Sequence, residues 1–221
     1  MEGTVMTTTR YARLAGLLYL VPMFLGPFSM MYVPGLIIAP DDAATTASNL
    51  INHETLFRLG MLSDAVIFLV EIALTAVLYV ALRPAGAALS LTAMLARIVM
   101  TVLQGVNLVL CMVALSAPAS ALLVLGIKAQ SVHVWELAFG LHCLAVGVLV
   151  FRSGFAPKVF GALLSLAGVG YFLNGAGALA LPQLATFLAA FVGIAAVVGE
   201  VPFVFWLVIR GVDEQRYGAG A

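Results

Sequence analysis

Four ionisable residues, Glu71, Arg97, His142 and Glu200, each lie within a long apolar run of the chain. An acid, a base, an imidazole and a second acid held at one depth can bind a small polar molecule, relay a proton, or simply neutralise one another. Ionisable groups inside a bilayer cost roughly 2.5–3.5 kcal/mol on insertion scales, so they turn to a bundle interior and find partners there. At 1.5 Å rise per residue, Glu71 sits about 16 Å above the inner end of its run and Arg97 about 15 Å above that of the next. His142 and Glu200 come out near 15 Å as well. Arg97 is a fixed positive charge, because arginine does not deprotonate in proteins. Two carboxylates against one guanidinium leave three ways to balance: a protonated His142, a protonated carboxyl, or a bound cation.

A second, outer layer is expected from Asp64, Gln104, Asn107, Glu136 and Asn174, at roughly 24–30 Å on the same scale. Asp64 and Glu71 are a heptad apart and share a helix face, as do Arg97 and Gln104. Two neighbouring helices should therefore present matching polar stripes, with Asp64 beside Gln104 and Asn107. Glu71, His142 and Glu200 could supply three metal ligands, but Arg97 at their level repels a cation and no His-x-x-x-His pair strengthens the set. No metal is expected, and no cofactor is assigned. Cys111 and Cys143 read as small apolar fillers. Their depths differ by roughly 20 Å, too far for a disulfide.

The elements that position these residues follow from composition. The chain has 221 residues, 63% hydrophobic and 9% charged, with no net formal charge. Soluble domains carry about 25% charged residues, so most of this surface faces lipid, and nothing marks nucleic acid as a partner. Six apolar runs are long enough to span: residues 14–39, 56–82, 87–115, 134–151, 159–181 and 184–209. The expectation is an all-α polytopic membrane protein, a single membrane domain of six helices without a soluble domain. The first run far exceeds a signal-peptide core and reads as a span. Pro22, Gly26, Pro27, Pro34 and Gly35 should bend or break it, with no matching interruption elsewhere and so no inverted repeat.

Between spans, Asp42 should cap a short outer helix over residues 43–52. The apolar stretch "APASALLVLGIKAQSV" should lie along the interface or tuck into the bundle, with Lys128 as an outer-loop cation. His133 and Glu136 should sit in solvent at the outer interface, and Arg58 should snorkel or pair with Asp41, Asp42 or Glu54. Gly161, Ser165, Gly168 and Gly175 give the fifth span one face where a neighbour can approach closely. Tyr11, Tyr79 and Trp206 near the inner ends, with Tyr32 and Trp135 near the outer ends, suit interfacial belts.

The segments "RYARLAGLLYL", "LFRLGMLSDAV", "GLHCLAVGVLVFRSGFAPKVFGALLSLAGVGYFLN" and "GEVPFVFWLVIRGV" together resemble a bacterial family of multi-span membrane proteins known as domain of unknown function 4386. Arg58, His142, Gly154, Pro157, Gly161, Gly168, Tyr171 and Glu200 stand where that resemblance places recurring residues. It implies a six-span integral membrane protein and supplies no activity, cofactor or catalytic residue. Three readings stay open: small-molecule or proton binding and transport, an intramembrane enzyme acting on a lipid or quinone, and a structural or regulatory membrane subunit. Whether it is an enzyme, and its oligomeric state, are left open. The ligand would be a small molecule or a proton, within a lipid bilayer as the standing partner.

Orientation follows from lysine and arginine. Arg10, Arg13, Arg83, Arg152, Lys158, Arg210 and Arg216 fall on one side, which places both termini in the cytoplasm of a cell-membrane protein. Reporter fusions at Ala221 and within residues 41–52 should read opposite compartments. Identical readings would overturn the six-span arrangement.

Overall fold

In lipid the usual amphipathic pattern is reversed, and α4 (Glu54–Leu82) shows it. Gly60, Asp64, Ile67, Glu71, Leu74 and Leu78 recur every three or four residues along its buried face, while Leu62, Leu69, Ile72 and Val80 are exposed. Polar groups line the inside because hydrocarbon offers them no partners. The same holds in α5 (Ala87–Ser116), where Arg97, Gln104 and Asn107 are buried and Leu95, Val99, Val102 and Val106 face outward.

The computed structural model describes residues 8–212 and Tyr217; Arg216, assigned above to the inner side, lies outside the described residues. The protein is an all-α polytopic bundle. Six of its helical stretches are long and apolar enough to cross a membrane. They comprise α1 (Thr8–Pro27), continued through a π turn (Phe28–Tyr32) into α2 (Val33–Ile37), then α4, α5, α6 (Ala121–Ser153), α7 (Lys158–Ala180) and α8 (Ala185–Ile209), with the short α3 (Ala43–Asn52) outside. In space α1 packs on α4, α4 on α5, and so on through α8, which returns to α1. The result is a closed ring.

The proline-rich first span stays one continuous helical stretch rather than breaking. Its π turn carries an i→i+5 bond from Val33 N to Phe28 O. Such single π turns are a usual way to absorb a lesion in the ladder. As expected, Asp42 caps α3, accepting from Thr45 N at 2.8 Å. That bond, with a second from the Thr45 hydroxyl, holds the Asp42 carboxyl below the usual range.

The fourth span, α6, corrects the start expected for it. It begins at Ala121, thirteen residues before the expected position 134, so "ALLVLGIKAQSV" is the first third of that helix and tucks into the bundle, the second of the two placements expected for it. Ala121, Val124 and Leu125 join a buried outer cluster with Val33, Ile37 and Leu50. Lys128 is consequently no loop cation. Trp135 lies about 27 Å above the inner end of α6 and lines the ring's interior. Its ring sits 4.8 Å from that of Phe139.

Glycines set the tightest contact, between α6 and α7. Gly140 and Gly147 on α6 face Gly161, Ser165 and Gly168 on α7, and a Cβ built on Gly161 would stand 2.6 Å from Phe151 N. Backbones this close forbid a side chain. The inner half of the ring is filled by Leu74, Leu78, Leu82, Val146, Leu149, Phe203 and Leu207, among others.

Gly161→Ala is expected to destabilise by roughly 1–3 kcal/mol through overpacking, read as a lower melting temperature in detergent. Gly193→Ala is the control, since a Cβ there meets nothing within 4 Å. Equal shifts for the two would overturn the close-packing account.

Candidate functional site

Arg97 is the point at which four helices meet. Its side chain is 1% exposed and its Nη2 lies 2.6 Å from Glu71 Oε2 on α4. The distance makes this an ion pair, although its angle falls outside hydrogen-bond geometry, since Glu71 Oε2 has no hydrogen-bond partner. Nη1 donates to the Tyr19 hydroxyl of α1 at 3.0 Å and to His142 Nε2 of α6 at 2.9 Å. The guanidinium also stands 4.8 Å from the Tyr19 ring centroid and 5.7 Å from that of Phe139, within cation–π range. One turn beyond each charge, a threonine hydroxyl bonds back to its carbonyl, Thr75 to Glu71 O and Thr101 to Arg97 O.

This geometry assigns the protonation of His142. Its Nδ1 lies 2.9 Å from Ala93 O, which can only accept, so Nδ1 carries the proton. Its Nε2 faces Arg97, which can only donate, so Nε2 accepts. The imidazole is therefore neutral, with both nitrogens used. Of the three balances open to the sequence, the protonated histidine drops out.

Glu200 stands apart from this knot. The Tyr171 hydroxyl of α7 donates to its Oε1 at 2.8 Å. Among the described residues no cation lies within ion-pair distance of it. Glu200 opens into a cavity of about 260 Å³ at the centre of the ring, which all six spans help to line. Tyr19, Glu71, Arg97, Gln104, Trp135, Phe139 and Tyr171 border it, and Trp135 Nε1 is buried without a partner. Met30 and Val197 line it too, yet Val197 is 62% exposed. Val197 lies about 18 Å below the outer end of α8, so the cavity reaches the surface at the depth of the lipid tails. There it passes between α1 and α8, which close together lower down, where Gly16 abuts Leu207 and Val208.

Of the four inner residues, the structure brings Glu71, Arg97 and Glu200 to the central cavity. His142 sits behind Arg97, bordering only small voids of about 10 Å³. The residues of the outer layer take different hydrogen-bond partners. Asp64 pairs with Lys128 Nζ at 3.4 Å, and Asn107 accepts from Ser131. Gln104 belongs to the central cavity. Glu136 is buried rather than solvated, taking Asn174 Nδ2 at 2.8 and 2.9 Å and His133 Nδ1 at 3.1 Å. Asp64 is nevertheless shielded from lipid, at 2% exposure. Cys111 is more than a filler, with its sulfur 3.3 Å from Lys128 Nζ. Both cysteines are free. Arg58 pairs with Glu54 on the surface at 2.7 Å.

Sequence reasoning missed Tyr19 and Lys128 as site residues, and gave Tyr171 no role. A signal was present for the tyrosines. Each sits about 17–20 Å into its span, far from either belt, where a phenol needs a partner.

Comparison with known proteins adds a family and no activity. A family model described as a domain of unknown function, DUF4386, matches residues 14–211. A relative from Archaeoglobus fulgidus, described as an uncharacterized protein, is 40% identical over 74 residues, covering 33% of this chain and 41% of the relative. The matched part of the chain thus spans less than half of that protein. No solved structure matches.

Removing one partner of a buried ion pair leaves an uncompensated charge and typically costs about 3–5 kcal/mol, whereas apolar replacement of both is often tolerated. Glu71→Gln and Arg97→Met are each expected to lower folded yield, and the double variant to recover it. A double variant no better than the singles would show that Arg97 is held by Tyr19 and His142 rather than by Glu71.

Proposed function

Because the chain belongs to the DUF4386 family, whose description carries no activity, its own side chains must supply the reading, and we propose that it binds a small molecule or a proton at Glu200, in the service of transport across the bilayer. The observation that carries this is the charge balance around the cavity. Arg97 and Glu71 cancel, and His142 is neutral with both nitrogens engaged. Glu200 remains, a carboxyl with Tyr171 on one oxygen and a cavity in front of it. An unpaired carboxylate in so apolar a setting is costly. It therefore holds either a proton or a cationic ligand. Exchange of one for the other at a single carboxyl is the elementary event of proton-coupled binding.

The polar knot gives this site a rigid back wall. Arg97 is tied to three side chains and cannot swing to neutralise Glu200 without losing them. Tyr171 fixes one carboxyl oxygen, leaving the other for a ligand. Tyr171 meets both Trp135 and Phe139 edge to face, those two rings lie tilted against each other, and the three offer an aromatic lining that suits a cation or a flat apolar body.

A second reading is an intramembrane enzyme acting on a lipid or quinone, with Glu200 as acid–base group. The opening at lipid-tail depth favours it, since such a substrate would enter sideways from the bilayer. In the third reading the polar knot only fixes packing, as a structural or regulatory subunit would need. We further propose that the protein lies in the cell membrane with both termini cytoplasmic, from the cations Arg10, Arg13, Arg83, Arg152, Lys158 and Arg210 at one end of the ring.

The test uses protein reconstituted in vesicles, with Trp206→Phe leaving Trp135 as the reporter. Quenching by a lipophilic cation, tetraphenylphosphonium, should report occupancy of the cavity. Proton and cation compete for one carboxylate, so binding should weaken as pH falls, by up to about tenfold per pH unit. Glu200→Gln should abolish both the binding and its pH dependence while leaving folded yield unchanged. Undiminished, pH-independent quenching in Glu200→Gln would overturn the proposal.

A further inference from the structure

A second cavity of about 300 Å³ lies in the outer half of the ring, between the π turn, α2, α4, α5 and α6. Its polar groups are Asp64, Lys128, Cys111 and Ser29, whose hydroxyl donates to Gly26 O at 3.4 Å, and its remaining walls are apolar. The ion pair here differs from the inner one. Lys128 Nζ stands 3.4 Å from Asp64 Oδ2 and 3.3 Å from Cys111 Sγ, against 2.6 Å for Arg97 and Glu71. Asp64 is 2% exposed, yet its Oδ1 has no hydrogen-bond partner. A buried acceptor without a donor is a cost that proteins generally avoid. The site is incomplete as the side chains leave it.

What would complete it is narrowly defined. The missing group must donate to Asp64 Oδ1 and can accept from the ammonium of Lys128, which has protons to spare. Asp64 and Lys128 sum to zero, so a cationic head would face Lys128 uncompensated and an anionic head would face Asp64. A neutral group that both donates and accepts satisfies the two together, and a hydroxyl does so. The apolar walls suit a hydrocarbon tail behind it. Ala129, exposed on the rim, lies about 12 Å below the outer end of α6. The geometry points to a second binding site in this protein, for the hydroxyl head of an apolar alcohol that enters from the outer half of the bilayer and is held by Asp64 and Lys128. Met30 of the π turn borders both cavities, but the site stands without the reading given to Glu200.

Cys111 reports on this cavity from within. In a Cys143→Ala background it is the remaining thiol, and its alkylation by N-ethylmaleimide can be followed in vesicles alongside the melting temperature. The probes are 1-decanol, decane, decylamine and decanoate. Decanol at about ten times its Kd should slow alkylation by about tenfold and raise the melting temperature, while the other three do neither. Asp64→Asn should lose the protection. Ala129→Phe, a rim substitution that spares the buried pair, should lose it too and guards against a folding defect in the first variant. Glu200→Gln should keep it, which separates failure here from failure at the central cavity. Equal protection by decane would reduce the cavity to an apolar void. Stronger protection by decylamine or decanoate would overturn the neutral head, and no protection by decanol would leave water as the occupant; either result sinks the proposal. Should Cys111 resist alkylation altogether, the melting-temperature comparison decides by the same pattern.

Discussion

A guanidinium held at the middle of a bilayer is the constraint around which this bundle is built. Arg97 cannot shed its charge and is only 1% exposed, so its neighbours are dictated. α4 must bring Glu71, α1 must bring Tyr19, and α6 must bring His142 in the tautomer that leaves Nε2 free to accept. Three helices are thereby tied to α5 at one depth, and the relative heights of four spans follow from one side chain. A buried pair is not by itself a source of net stability. Its effect is to make other arrangements of the helices worse, because they would strand the charge.

The remaining helices are held by a different force. α7 meets α6 through glycines, where the gain is dispersion between close backbones rather than expulsion of water, which lipid does not supply. That tight hairpin fixes Tyr171 relative to the Arg97 knot, and Tyr171 in turn positions Glu200 on α8. The polar chemistry and the glycine packing thus divide the work. One sets the back wall of the cavity and the other sets the distance to the carboxyl opposite. The π turn in the first span keeps that helix continuous, and Met30 there borders both cavities.

The two ion pairs show what burial does to similar components. Asp64 and Glu71 lie a heptad apart on one helix, each facing a cation from another span. The inner acid is gripped at 2.6 Å by a planar guanidinium with further partners. The outer one meets a flexible ammonium at 3.4 Å and keeps an oxygen unsatisfied. Lysine offers a point charge on a mobile stem, where arginine offers a fixed fork. The first arrangement suits a structural centre and the second leaves space for something else.

Much of this was legible in the chain itself, because depth in a membrane helix is arithmetic. Counting residues from the span ends placed Glu71, Arg97, His142 and Glu200 at one level, and the glycine spacing in α7 announced a close neighbour. The same arithmetic erred where an end was misplaced. Reading α6 from position 134 instead of Ala121 cast Lys128 into a loop, since a short apolar stretch beside a span has the same composition as its first turns. Nor does depth give direction around the helix axis. Asp64, Gln104, Asn107, Glu136 and Asn174 share a height but belong to different contacts, and only the packed ring decides which faces which. The sequence by itself determined an all-α membrane bundle and the heights of its polar groups, because hydrophobic length and helical rise are local properties. The tertiary structure alone decided that His142 is neutral, that Lys128 belongs to Asp64, and that Glu200 faces an open cavity, because hydrogen-bond partners and voids exist only once helices from distant parts of the chain have been rotated into place.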